Sequence, residues 1–154
     1  MSSRRDQIID VLYAVLSGAG KPSGLTVARS RTLAFASSQL PAQVLYYVSE
    51  EVQSSPPRSL DNKRLARRTF RFCVETRVNA GSDTPDQAID PYLSWAVQAL
   101  CVAPVLTGKL THDITELGTQ WDSEDQDAPY SAAKQFFQVE YVTSGSDPDA
   151  ATAG

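Results

Sequence analysis

Apolar and polar side chains alternate most clearly over residues 65–78, LARRTFRFCVETRV. At a period of two, one side of this segment is apolar and the other is polar, the pattern of a strand with one face in a core. The apolar side consists of Phe70, Phe72, Val74 and Val78. The polar side consists of Arg67, Thr69, Arg71, Cys73, Glu75 and Arg77. The pattern predicts a central strand that builds the core with one face and a basic surface with the other.

A second strand is predicted over residues 42–52, AQVLYYVSEEV, and it pairs antiparallel with the central strand across a polar hairpin containing two prolines. We expect Val44, Tyr46 and Val48 on its core side, which leaves Leu45 and Tyr47 on the other side. Two large apolar residues on a side of the strand that would otherwise face solvent indicate a subunit interface or a second layer of structure on the sheet. The alternative is that a helix of the same chain covers them.

The remaining elements follow in order along the chain. Residues 4–17 have the apolar spacing of an amphipathic helix that packs on a sheet. A second such helix begins at Pro85, with Pro91 inside it, or at Pro91 itself. Weaker or shorter strands are predicted over residues 25–31, 111–121 and 131–143. The last residues, 144–154, are small and polar, and we expect a flexible tail that a partner orders.

Charge is distributed unevenly along the chain. Residues 1–77 contain 12 Lys or Arg and 6 Asp or Glu, whereas residues 78–154 contain 2 and 12. A chain with two such poles can bind a second copy of itself head to tail or bind an oppositely charged partner. The alternative is that the two signs interleave in the folded sheet and cancel.

The sequence contains no signature of a catalytic or metal site. His112 is the single histidine and has no nucleophile motif beside it, and no phosphate-binding loop is present. Cys73 and Cys101 are far apart and have no metal-ligand spacing, so we interpret both as structural, with Cys73 partly exposed on its strand. The acidic segment 122–129 lacks the spacing of a calcium loop. We therefore predict a protein that is not an enzyme, with no cofactor and no metal.

The sequence also bears on localisation and on nucleic-acid binding. No apolar run is long enough to cross a membrane and no secretory signal is seen, so we expect synthesis in a reducing cytoplasm and no membrane partner. A basic cluster could contact phosphates. It consists of Arg58, Lys63, Arg64, Arg67, Arg68, Arg71 and Arg77. Because the phenylalanines alternate to the opposite side and the chain carries a net charge of −4, nucleic-acid binding is the more distant alternative.

The order of these elements resembles the tail terminator family of long-tailed bacteriophages over residues 4–143. The stretches that match are RDQIIDVLYAVL, LPAQVLYYVSEEV, RTFRFCVETRV, DQAIDPYLSWAVQAL, TQWDSEDQD and FFQVEYVT. The chain departs from the family in the long segment 18–41 and in the tail 144–154. The resemblance implies a single domain over residues 1–143 of the α/β (α+β) class, with a twisted, mainly antiparallel sheet of about 4–5 strands packed by two helices.

The function that the resemblance implies is structural. Members form a ring, usually hexameric, that lies on the tail tube at the head-proximal end of the virion tail, stops tube polymerisation and offers its other face to a neck or head-completion protein. DNA passes through the lumen of such a ring without specific binding. The alternative in the same part of the virion is a neck or head-closure protein.

For such a ring we predict that the arginine face of the central strand meets the acidic segment of the next subunit, while buried apolar groups provide affinity. The predicted interface residues are Leu45, Tyr47, Arg64, Arg67, Arg68, Arg71, Arg77, Asp122, Glu124, Asp125 and Asp127.

Overall fold

The computed structural model of the chain describes residues 3–29, 37–54, 65–79, 85–102, 114–122, 130–144 and 147–151. These residues form two helices and a mixed sheet that is not closed, an α+β fold as predicted. The strands are β1 (Thr26–Arg29), β2 (Ala42–Ser54), β3 (Leu65–Asn79), β4 (Ile114–Asp122), β5 (Tyr130–Ser144) and β6 (Asp147–Ala151).

The sheet is centred on β3, as the alternation predicted. Its order is β1-β2-β3-β5-β4, and β6 pairs with β5 beside this path. β1 runs parallel to β2, and every other pair is antiparallel. The segment 144–154, for which we predicted no strand, therefore contains β6, which pairs within the chain. That a partner helps to order this tail stays a prediction.

Helix α1 (Arg4–Leu16) begins where the side chain of Ser3 accepts a hydrogen bond from the backbone N–H of Asp6 at 3.2 Å. This N-cap satisfies a donor that the first helical turn leaves free, and Asp6 adds a negative charge at the positive end of the helix. The helix buries one stripe against the sheet. The stripe consists of Ile8, Ile9, Leu12 and Leu16.

Helix α2 (Pro85–Val97) continues into a π-helical segment, Gln98–Val102. The structure therefore places the start of the helix at Pro85, with Pro91 inside it. Because Pro91 has no N–H, one carbonyl in the preceding turn loses its helical donor. Trp95 near the end of α2 donates a hydrogen bond to the carbonyl of Leu16 at 3.3 Å, which connects the two helices.

Both helices lie on the same side of the sheet, and the core between them and the sheet has two parts. The large cluster joins α1 and the end of α2 to the strands and includes Leu45, Phe70, Phe72, Val74, Phe137, Val139 and Tyr141. The rings of Phe72 and Phe137 stack within it at a centroid distance of 5.5 Å. The small cluster consists of Val78, Ile89, Leu93 and Ala133.

A layer of buried polar side chains separates the two clusters. Gln43 donates to the hydroxyl of Thr76 at 3.1 Å and to the carbonyl of Tyr92 at 2.8 Å. Gln135 donates to the carbonyl of Leu93 at 3.1 Å. The amide oxygens of both glutamines have no partner among the described residues. Two glutamines of the sheet thus attach α2 through its backbone carbonyls.

The structure reverses the predicted faces of β2. Leu45 is fully buried in the large cluster, and the ring of Tyr47 packs edge-on against Phe70 at a centroid distance of 5.3 Å. Val48, which we expected in the core, is exposed. Leu45 and Tyr47 therefore lie on the helix side of the sheet, where we had placed Val44, Tyr46 and Val48. The alternative that a helix of the same chain covers them holds for Leu45, whereas Tyr47 is exposed. A β-bulge between Tyr47 and Ser49 then changes the alternation, so Glu50 lies on the helix side.

Candidate interaction surface

The side of the sheet away from the helices, called here the open side, carries no helix among the described residues. β3 contributes Arg67, Thr69, Arg71, Cys73, Glu75 and Arg77 to it, the set predicted from the alternation. Cys73 is fully buried there, not partly exposed as predicted, and its burial raises the pKa of the thiol to about 11. The neutral thiol is thus favoured at ordinary pH, and burial also raises the pKa of Cys101.

A groove of about 440 Å³ crosses the open side. Its walls are mostly apolar, and Arg71 supplies its charge. The lining residues are Val48, Arg71, Leu117, Gly118, Thr119, Gln120 and Phe136. Because β2 and β4 each bulge at this level, Val48 and Leu117 stand out from the ladders of their strands. The groove therefore combines apolar contact area with a guanidinium group.

Arg71 is only weakly held within the chain. Its Nη1 lies 3.3 Å from Oε1 of Glu51, whose side chain is 69% exposed, and its Nε is buried without a hydrogen-bond partner among the described residues. An exposed ion pair of this kind contributes about 0–1 kcal/mol. The Arg71 guanidinium can therefore exchange Glu51 for an external carboxylate at little cost.

Arg77 and Arg67, the other open-side arginines of β3, differ from each other. Nη2 of Arg77 lies 2.8 Å from Glu75, and Lys134 of β5 approaches the same carboxylate at 3.9 Å. Arg67 is exposed and forms no ion pair with the described residues. Arg67 is therefore more available to a partner than Arg77.

Arg68 lies on the helix side of the sheet, so its assignment to a basic surface was wrong. Its Nη1 is 2.8 Å from Oε1 of Glu50, and its Nε donates to Thr143 at 3.0 Å. Tyr141 donates to the other oxygen of Glu50 at 2.6 Å, and Arg5 of α1 approaches the same carboxylate at 3.6 Å. Only 9% of the Glu50 side chain is exposed. Arg68 thus belongs to an internal network that fastens α1 to β2, β3 and β5.

Tyr47 belongs to a second network on the helix side. Its hydroxyl donates to Asp6, and Arg29 of β1 forms ion pairs with Asp6 at 2.9 Å and with Asp10. The hydrogen bond from Tyr47 is the main cause that lowers the pKa of Asp6, and Arg29 lowers it further. Burial is the main cause that raises the pKa of Tyr47. Tyr47 is 43% exposed, but its polar end is engaged within the chain.

The acidic half of the predicted interface is only partly visible. Asp122 ends β4, and Glu124, Asp125 and Asp127 lie outside the described residues, as does Arg64. The pairing of arginines with this acidic segment therefore stays a prediction. The structure does bring Arg67, Arg71 and Arg77 together on one side of the sheet, and it separates them from Arg68.

Sequence reasoning missed the glutamate partners of the arginines. Three arginines of β3 form ion pairs with Glu50, Glu51 and Glu75, so the two signs of charge interleave within the sheet at these positions. The signal was present, because the acidic pair Glu50 and Glu51 faces the basic run of β3 across the predicted hairpin. Only the bulge decides which of the two glutamates turns inward.

Candidate metal-binding groups do not converge in the part of the chain that the structure describes. No group of three or more His, Cys, Asp or Glu side chains is close enough there to hold a metal ion, and His112 lies outside it. Within the same ranges, no helix has the length and apolar character needed to cross a membrane.

Comparison with known proteins finds similarity among solved structures. No protein-family model matches the chain, and no curated protein matches it. Among solved structures, the chain is similar to a protein chain of the "Virion of native gene transfer agent (GTA) particle", with 13% sequence identity, a TM-score of 0.48 and 90% of each chain covered.

Proposed function

We propose that this chain is a structural virion protein that forms a hexameric ring, caps the phage tail tube, stops its polymerisation and provides the docking surface for the neck. The observation that carries the proposal is the open side of the sheet, where apolar and charged side chains lie together in a groove that no described helix covers. The family resemblance of the six sequence stretches supports the same role.

The composition of the groove fits a protein contact better than a small-molecule site. Val48, Leu117 and Phe136 offer apolar area, and arginine is enriched in the buried centres of protein interfaces. A contact made here buries apolar groups that already lie at the surface, so little of the fold needs to change.

The acidic segment of the neighbouring subunit is the proposed complement of the open-side arginines. Arg67 and Arg71 are the available cations, and Asp122, Glu124, Asp125 and Asp127 are the proposed anions. Exposed ion pairs contribute about 0–1 kcal/mol each, so this pairing sets orientation more than affinity. Arg77 and Arg68 are left out because Glu75 and Glu50 already engage them.

The proposed partners are other copies of the chain, the tube protein and a neck or head-completion protein. DNA would pass through the lumen without sequence-specific contacts. A free nucleic-acid-binding module is less well supported, because two of the four arginines of β3, Arg68 and Arg77, are already engaged by carboxylates of the same chain.

Electron microscopy of particles made after deletion of the gene tests the proposal. We expect headless tails whose tubes extend beyond normal length, because nothing stops tube growth. Tails of normal length that fail to join heads would reassign the protein to the neck or head-closure role. Intact, infectious particles would overturn both roles. Complementation by the wild-type gene on a plasmid is the control.

A further inference from the structure

Among the described residues, the sheet has two strand edges without a pairing strand, and these edges carry most of the exposed apolar side chains. Six large apolar side chains are exposed among the described residues: Tyr13, Tyr47, Val48, Val52, Leu117 and Trp121. All except Tyr13 lie on β2 or β4. Soluble proteins usually protect open strand edges with charge, proline or a covering element, so exposed apolar side chains on both edges indicate that the edges are covered in an assembly.

Both edges are open over the same length. β1 pairs only with the first four residues of β2, from Ala42 to Leu45, so nine residues of β2, 46–54, have no outer partner among the described residues. β4 is an edge strand of nine residues, and no described strand pairs with its outer side. A strand with unpaired N–H and C=O groups is a template for another strand.

The two edges also resemble each other in pattern. On β2, Val48 stands at the bulge and Val52 follows four residues later on the helix side. On β4, Leu117 stands at the bulge and Trp121 follows four residues later, again on the helix side. In one sheet β2 and β4 run in opposite directions, because each of the three steps, from β2 to β3, from β3 to β5 and from β5 to β4, reverses the strand. A copy placed alongside in the same orientation therefore presents β4 antiparallel to β2.

From these observations we propose that the free edge of β2, residues 46–54, pairs antiparallel with β4 of a second copy, so that successive sheets join edge to edge. The inference rests on the proposed function, because it names the contact by which the ring would form. Since the two edges are different surfaces of one chain, the contact is heterologous and repeats until it closes. All helices then lie on one side of the joined sheets, and all open sides lie on the other.

Full overlap of the two edges places side chains of the same side next to each other at both ends of the overlap, whereas Ser49 and Thr119, between the two bulges, lie on opposite sides. Tyr47 comes beside Trp121 on the helix side, and Val48 comes beside Gln120 on the open side. Across the sheet of one chain, Ile114 of β4 lies at the same level as Glu50 of β2, and Asp122 lies at the same level as Ala42. The free edge of β2 is therefore displaced by four residues along the strand direction relative to β4. Strands that tilt against the ring axis, as they do in closed barrels at about 35–45°, accommodate such a displacement.

Disulfide trapping tests this contact directly. In a Cys101→Ser background, Val48→Cys is combined with Gln120→Cys, and in a second variant Val52→Cys is combined with Glu116→Cys. Within one chain the two edges are three strand spacings apart, roughly 14 Å, which is too far for a disulfide. Any disulfide between the two introduced cysteines must therefore join two copies. The matched control combines Gln120→Cys with Glu140→Cys, since Glu140 is exposed on an interior strand.

The full-length protein is oxidised with glutathione disulfide and run on non-reducing gels, and rings are counted by electron microscopy and native mass spectrometry. We expect a ladder of linked chains that ends at the number of subunits in the ring, and no ladder for the control. Rings that form but link no better than the control would overturn edge pairing and leave the proposed function standing. Linked chains that never close into rings would support edge pairing and contradict the ring. If the protein forms neither rings nor links, with or without tube protein, both edge pairing and the proposed ring are rejected.

A second pair of variants tests the contact without new cysteines. Leu117→Lys with Trp121→Lys places charge on the free edge of β4, and we expect the ring to be lost in sedimentation experiments. Tyr13→Lys removes the exposed aromatic side chain that lies on α1 instead of an edge, and we expect normal rings. Equal behaviour of the two variants would contradict the proposal.

Discussion

Arg68 and Arg71 are three residues apart on β3 and both have a glutamate of β2 as partner, yet they lie in two different regions of the molecule. Arg68 contacts Glu50 on the helix side, where both side chains are mostly buried and Tyr141 and Arg5 share the carboxylate. Arg71 contacts Glu51 on the open side, where both side chains are accessible. The difference shows that the side of the sheet, more than the residue type, separates arginines that hold the fold together from arginines that can meet a partner.

The largest expected effect comes from removing an apolar group on the helix side. Leu45→Ala leaves a cavity in the large cluster, and we expect the free energy of unfolding to fall by about 3 kcal/mol. Leu117→Ala on the open side should lower it by less than about 1 kcal/mol, because surface substitutions leave no cavity. Urea denaturation of both variants measures the difference. If Leu45→Ala kept its stability and lost only assembly, Leu45 would belong to the interface after all.

The next effect concerns the two glutamates. Glu50→Ala leaves Arg68 and Tyr141 without their acceptor in a largely buried place, and we expect a loss of about 2–3 kcal/mol. Glu51→Ala removes only an exposed pair, and we expect a change below about 1 kcal/mol. Chemical denaturation compares the two variants under identical conditions. Equal losses would mean that the two sides of the sheet do not differ in the way that burial indicates.

Charge reversal on the open side should affect assembly more than folding. In the double variant Arg67→Glu, Arg71→Glu we expect rings to be lost, while the free energy of unfolding changes by less than about 1 kcal/mol. Size-exclusion chromatography with light scattering measures assembly, and urea denaturation measures folding. Lys134→Glu reverses an open-side cation on β5 outside the groove and serves as the control. Normal rings in the double variant would reject the pairing of these arginines with the acidic segment.

The smallest effect is a dependence of stability on pH through Asp6. Because the pKa of Asp6 is lower in the folded protein than its ordinary value of 3.8, the carboxylate stabilises the fold at higher pH. This contribution is lost as the pH falls below about 4 and the group takes up a proton. We expect wild-type protein to lose its stability advantage over Asp6→Asn in this range. Urea midpoints measured from pH 6 down to pH 2.5 follow the difference, and Glu140→Gln is the control. A difference that stayed constant with pH would exclude a role for Asp6 ionisation.

The alternation of β3 predicted its own two faces correctly, because Phe70, Phe72 and Val74 are large and apolar while their neighbours are mostly polar. β2 was assigned to the wrong side for a physical reason. Val44, Leu45, Tyr46 and Tyr47 are all apolar or aromatic, so the pattern itself does not distinguish the sides, and the packing of α1 decides. β6 had no apolar pattern to detect, since it pairs with β5 through backbone groups in the sequence DPDAA.

The candidate surface was predicted in part for a similar reason. The sequence indicated a basic strand, and Arg67 and Arg71 do lie on the accessible side. Which glutamate neutralises which arginine of this strand depends on the bulge between Tyr47 and Ser49, because the bulge turns Glu50 to the helix side and leaves Glu51 on the open side. A bulge shifts the register by one residue, and nothing in the composition of residues 47–49 requires it.

The glutamine layer that divides the core bears on the motions of the domain. Gln43, Thr76 and Gln135 separate the small cluster of Val78, Ile89, Leu93 and Ala133 from the large one, so the first turns of α2 rest on few apolar contacts. Segments with few such contacts open by local unfolding at lower free energy than the whole fold. The amide protons at the beginning of α2 should therefore exchange with solvent earlier than those of β3 and α1, and this end of the molecule could adjust its shape to a neighbour while the rest remains rigid.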